Sequence, residues 1–142
     1  NETFEIALRA ASTGHLVLST MHASNATATI DSMVNRFPQH LQGQVRQQLA
    51  DALLLVFAQR LIPTKTGDAR ILAYEKLIST HRIRNFIREN KVHQIRSQMQ
   101  AESDDFASLD ICLIKLLKED KITMKSALVY AENADYVSRL GK

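Results

Sequence analysis

The sequence predicts an α/β fold that gives way to an all-helical segment, and three observations predict it. An apolar run of strand length, "HLVLSTMH" (15–22), stands between two segments in helical stride. A second run, "ARILAYEKLI" (69–78), has strand composition and follows a loop bracketed by Pro63 and Gly67. From Thr80 onward the patterning is helical throughout. This change of character near Ile78–Thr80 divides the chain into residues 1–78 and 79–142.

Each element follows from local chemistry. "ETFEIALRAA" (2–11) places Phe4, Ile6, Ala7, Ala10 and Ala11 on one helical stripe. Thr13-Gly14 ends that helix, because glycine enters a left-handed C-terminal turn without a Cβ clash. The run that follows includes Val17 and is apolar on both faces at its start, as a central strand in a covered sheet is. Ser24 or Asn25 can cap the next helix, "ATATIDSMVNRF" (26–37), which Pro38 stops. Val45, Leu49, Ala52, Leu53, Val56, Phe57 and Arg60 predict a long amphipathic helix from Gln42 to Leu61. "QRLIP" (59–63) can also pair with 69–78 as a hairpin. "HRIRNFIREN" (81–90) and "KVHQIRSQM" (91–99) are short amphipathic helices, with Ile83, Phe86 and Ile87 on the buried stripe of the first. "SDDFASLD" (103–110) reads as a capped turn and "ICLIKLLKED" (111–120) as a helix, and Thr123 or Asn133 can cap the last pieces.

Composition narrows the function classes. Hydrophobic residues make up 45% of 142, with no long Pro/Gly/Ser tract, which is globular and not disordered. No apolar run approaches the ~20 residues of a membrane span, and no secretion-signal pattern opens the sequence. The single Cys112 cannot form an internal disulfide, which fits a reducing compartment. Its spacing with Leu109, Leu113 and Leu116 makes it a buried core thiol. A net charge of +3 is too mild to imply nucleic acid or membrane by itself. The chain begins with Asn1, already in helical stride at its second residue, which predicts a fragment whose beginning is missing.

Two constellations carry chemistry. The predicted strand ends in Ser19, Thr20 and His22, with Ser24 and Asn25 beyond, at the edge where α/β folds keep their ligands. Thr20 and His22 share strand parity, and the His22 ring nitrogens can reach a phosphate or a catalytic water. A structural histidine bonded to a neighbouring loop is the plainer alternative. His15 has the opposite parity, and His40, His81 and His93 have no thiol or carboxylate partners at ligand spacing, so no metal site is assigned. Neither G-x-x-x-x-G-K-[ST] nor G-x-G-x-x-G occurs, so no phosphate cradle is present in these residues, and hydrolase-triad chemistry lacks a nucleophile elbow. The second constellation is basic. Arg84, Arg88 and Lys91 stand at i, i+4, i+7 with Arg82 and Arg96 nearby, a stripe that suits nucleic-acid phosphates, protein docking or plain solvation.

The block "ETFEIALRAASTGHLVLSTMHASNATATIDSMVNRFP" (2–38) resembles the C-terminal half of the secretion ATPase superfamily, which includes the motors of type IV pili and type II secretion. On that match His22 is the His-box histidine, and Thr20 and Gly14 fall on matching positions. "RQQLADALLLVFAQRLIP" and "YE" are similar to the following helix and glutamate-bearing strand, through Arg46, Leu49, Gln59, Leu61 and Glu75. "RIRNFIREN" (82–90) resembles the "AIRNLIRE" motif of retraction motors of the twitching-motility type. Ile83, Arg84, Asn85, Ile87, Arg88 and Glu89 match, while Arg82 replaces alanine and Phe86 replaces leucine. "SLDICLIKLLKEDKITMKSAL" (108–128) is similar to their C-terminal helices. Ser32 stands where retraction motors commonly have Arg, so a contact made there is not carried over. "AESDDFASLD" (101–110) lacks their Gly-Met turn, so Asp105 and Phe106 must form that turn differently.

The resemblance covers nearly the whole chain and implies the C-terminal part of a RecA-like P-loop NTPase core (1–78) followed by an all-helical C-terminal domain (79–142). It implies that the phosphate cradle and its acidic partner lie upstream of Glu2, so ATP and Mg²⁺ belong to the intact protein and residues 1–142 alone do not hydrolyse ATP. His22 and Thr20 become catalytic-site residues that sense the γ-phosphate or the attacking water. The implied whole is a cytoplasmic ring of six subunits, peripheral to the inner membrane, working through a pilus platform protein there. Nucleic acid is not its expected partner. A non-catalytic adaptor half-domain docking through Arg84 and Arg88, and a nucleic-acid-binding helical module, are the alternatives.

Overall fold

The computed structural model describes residues 2–99 and 103–141. Among them are eight helices: α1 (Glu2–Ser12), α2 (Ala26–Asn35), α3 (Gln39–Ala52), α4 (His81–Arg88), α5 (Val92–Gln98), α6 (Leu109–Lys118), α7 (Met124–Tyr130) and α8 (Ala134–Leu140). Three strands, β1 (Leu55–Pro63), β2 (Arg70–Ile78) and β3 (Phe106–Ala107), form one sheet in the order β1-β2-β3. Helices and sheet are both present, as the α/β class requires, and the only described strand after Thr80 is the two-residue β3. Ala101 and Glu102, the start of the segment without a Gly-Met turn, lie outside the described residues. Its remainder turns through paired backbone bonds between Ser103 and Phe106, 3.1 and 3.2 Å.

Two sequence expectations are corrected. Residues 15–22 form no strand, although α1 ends and α2 begins where predicted. A strand needs neighbours for its N–H and C=O groups, and the described sheet does not include this run. Leu16 and Leu18, placed in a covered sheet by their apolarity, are 76% and 87% exposed. The helix expected from Gln42 to Leu61 stops at Ala52, and Leu53 takes extended backbone at φ −68°, ψ 126°. Leu53–Phe57 is an unbroken apolar run whose period fits helix and strand alike. Pairing with β2 settles it, so Val56, Phe57 and Arg60 lie on β1. The hairpin from "QRLIP" to 69–78 is present, and Phe57 stacks on Tyr74 with ring centroids 5.0 Å apart.

The caps the sequence pointed to, at α1, α2, α7 and α8, fall on the predicted residues, and Thr80 and Ser108 add two more. Gly14 adopts φ +94°, and Gly67 in the hairpin loop adopts φ +77°. Of the two candidates before α2 it is Asn25 that caps, its side chain accepting from Ala28 N at 2.9 Å. Thr80, Ser108, Thr123 and Asn133 cap α4, α6, α7 and α8 in the same way.

Compactness groups the residues differently from the composition boundary near Ile78. One unit comprises the residues up to Val56 together with Leu77–Gln98, the other Phe57–Lys76 together with the residues from Met99 on. In the first unit α3 packs on α1, α2 and α4, and α5 packs on α2 and α4. Ile30, Val45, Leu49, Ile83, Ile87 and Ile95 are buried there. In the second, Ile62 and Ala73 of the hairpin join Leu109, Leu113, Ile114, Ile122, Ala127 and Val137 in one core. Cys112 packs against this core half-buried, less enclosed than its spacing predicted.

Candidate functional site

Thr20 and His22 lie on the irregular segment between α1 and α2, and both side chains are exposed. Three residues on from His22, Asn25 opens α2 in extended backbone, φ −157°. Its carboxamide oxygen also accepts from the Thr27 hydroxyl at 3.0 Å, and the Thr29 hydroxyl donates to the Asn25 carbonyl at 2.8 Å. The first turn of α2 carries no acidic side chain, so the positive end of its dipole is not neutralised from within the helix. Asp31 lies one turn further on. Partial burial pushes its carboxyl above the usual aspartate range, and nearby His93 pulls it part of the way back. Glu75, the match to the family glutamate, is buried on β2 in the second unit. A cavity of about 300 Å³ between α1 and α3, lined by Leu8, Phe37, Leu41 and Val45 among others, includes none of the predicted site residues. Among the described residues no three of His, Cys, Asp and Glu are grouped to hold a metal ion, and no helix is long and apolar enough to cross a membrane.

The motif residues are brought together on α4. Ile83 and Ile87 are fully buried, which follows from their i, i+4 spacing. Arg84 and Arg88 share another face, yet both are only half-exposed. Arg84 Nε donates to the Ser79 carbonyl at 3.2 Å, and Ser79 N donates to the Leu54 carbonyl at 2.9 Å. Arg88 donates from Nη1 to Asn85 Oδ1 at 3.0 Å and from Nη2 to Asp51 Oδ1 at 2.5 Å. Glu89 pairs with Lys91 at 2.7 Å, and Arg82 donates to Gln98 Oε1 at 2.7 Å. Asn90 leaves the helix at φ +58°, a left-handed conformation that asparagine tolerates. The basic stripe is therefore bonded within its own unit. Asp51, which sequence reasoning passed over, gives one signal: it is a carboxylate in the last turn of α3, where the helix dipole disfavours negative charge.

The model of the type II/IV secretion system protein family matches residues 1–107. The twitching motility protein of Neisseria gonorrhoeae is 37% identical over 138 residues, which cover 96% of this chain and 37% of that protein. The type IV pilus retraction ATPase PilT of Pseudomonas aeruginosa is 42% identical over 127 residues, 89% of this chain and 37% of the relative. The crystal structure of the pilus retraction motor PilT with bound ADP superposes with a TM-score of 0.86 at 43% identity, covering 97% of this chain and 38% of the motor. The chain thus spans little more than a third of the length of the curated relatives it matches.

Proposed function

The chain belongs to the type II/IV secretion system protein family, and on that premise we propose that it is the C-terminal part of a motor ATPase that drives pilus retraction. The observation that carries this reading is that likeness to the retraction motor runs over nearly the whole chain, through "TGHLVLSTMH" and through α4 alike. Residues 1–78 are then the rear of a RecA-like ATPase domain, and residues 79–142 its helical C-terminal domain. ATP with Mg²⁺ is held in the intact protein by a P-loop that these residues do not contain, and none of them is assigned to the metal. The working assembly is a ring of six subunits on the cytoplasmic side of the inner membrane, acting on pilin through a platform protein.

His22 and Thr20 are the residues through which this chain takes part in the chemistry. Hydrolysis places charge on the γ-phosphoryl oxygens and requires an oriented water. An imidazole can donate to one and accept from the other. Both side chains are exposed just ahead of the capped start of α2, so a change in their bonding is passed directly to that helix. In the native polypeptide, His22→Ala lowers ATP turnover by about tenfold or more, the direction expected when a transition-state hydrogen bond is lost. Turnover equal to that of the parent would remove the sensing role.

A further inference from the structure

We propose that Asp51 is a positioning residue for the Arg84–Arg88 face of α4, holding the Arg88 guanidinium in the orientation in which the motor uses it. The inference rests on the motor reading and deepens it at one side chain. Three observations carry it. Asp51 stands in the last turn of α3, where a carboxylate works against the helix dipole, so helix stability does not account for it. Its Oδ1 lies 2.5 Å from Arg88 Nη2, a charge-assisted bond between residues 37 positions apart. Arg88 is also held by Asn85 at 3.0 Å through its other terminal nitrogen, so two acceptors fix the guanidinium plane. A guanidinium has five N–H donors in a rigid fork. With its plane set and its side chain 28% exposed, Arg88 keeps an edge that can reach an acceptor outside the unit.

The other motif arginine is placed by the same end of α3. Arg84 holds the Ser79 carbonyl, and Ser79 N holds the carbonyl of Leu54, two residues past the end of α3. Asp51 and Leu54 therefore clasp α4 at two points, one through each arginine. A guanidinium oriented before it meets its partner loses less entropy on binding than a free one. This is why an exposed ion pair of small energetic worth can still govern motor output.

The test exchanges the charges in the native polypeptide and reads pilus retraction in its own cells, with ATP turnover of the purified protein beside it. Asp51→Arg and Arg88→Asp each reduce retraction by about fivefold or more. The double exchange does not restore it, because re-forming the pair leaves no guanidinium at position 88 to meet the outside acceptor. Full restoration would make the pair structural only and overturn the proposal. Asp51→Glu keeps retraction and Asp51→Asn loses it. That pattern separates orientation by charge from simple packing, and the Asn variant alters the shape of an exposed side chain too little to threaten folding. Loss with Arg88→Asp but none with Asp51→Asn would overturn the proposal and leave the motor reading intact, since Arg88 would then act without its positioning partner. Full retraction with Arg88→Asp would remove the motor role of this face, and the proposal with it.

Discussion

Asp110 shows what one buried carboxylate does in this molecule. It lies in the first turn of α6, where negative charge favours the helix. Its two oxygens accept from Glu132 N at 2.8 Å and Asn133 N at 3.0 Å, which ties the start of α6 to the residues that cap α8. Asp110→Ala leaves those amides without this acceptor at an 8%-exposed site and lowers stability by about 1–3 kcal/mol. Asp110→Asn retains one acceptor oxygen and loses less. Urea midpoints of the two variants should rank in that order, and equal midpoints would show that the carboxylate is not the tie. The sequence makes such a residue only partly visible: "SLD" announces a helix start, but nothing local reveals partners 22 and 23 positions away. The same holds at the candidate site. Ile83, Arg84, Ile87 and Arg88 were legible as a motif on a helix. That Arg88 is bonded within its own unit was not, because Asp51 lies 37 residues upstream.

Among elements, those whose boundaries are set by neighbouring residues were the legible ones. Gly14, Asn25, Thr123 and Asn133 each act within four positions, and each ends or caps the helix it was expected to. The failures, residues 15–22 and the overrun of α3 past Ala52, are apolar runs whose conformation depends on what pairs with them across the chain. The hairpin loop is local enough to carry a pH prediction. Asp68 Oδ1 accepts from the hydroxyls of Thr66 and Thr64, and these bonds hold its carboxyl below the usual aspartate range. A carboxyl lowered on folding contributes order that is complete above its unfolded value of about 3.9 and disappears as pH falls through the lower folded value. Nuclear magnetic resonance signals of Thr64, Thr66 and Ala69 should therefore hold constant from neutrality to mild acid and move only below that range. In Asp68→Asn this acid transition is absent. A transition centred above the ordinary aspartate value would mean the hydroxyls are not bonded to the ionised form.

At the scale of the whole molecule, large apolar side chains are exposed in each of the two units. Leu16 and Leu18 are 76% and 87% exposed on the segment that carries His22, and Phe57 and Leu61 are 44% and 56% exposed on β1. Exposed apolar side chains mark surfaces that meet other protein where they lie together, and the chain spans 37% of the length of two of its relatives. Phosphoryl transfer requires backbone N–H groups and a lysine around the phosphates. The four glycines of this chain include no G-x-x-x-x-G-K-[ST] arrangement that supplies them. Purified residues 1–142 should therefore release phosphate from ATP no faster than buffer does, while the native product should hydrolyse it, and its mass should be more than twice 16.0 kDa with a P-loop peptide upstream of Glu2. Turnover by residues 1–142 alone would move the phosphate site into these residues and end the reading of them as the rear of a motor. A native product of 16.0 kDa without turnover would instead leave a half-domain that works by docking, and Asp51, Arg84 and Arg88 would then be its first residues to test.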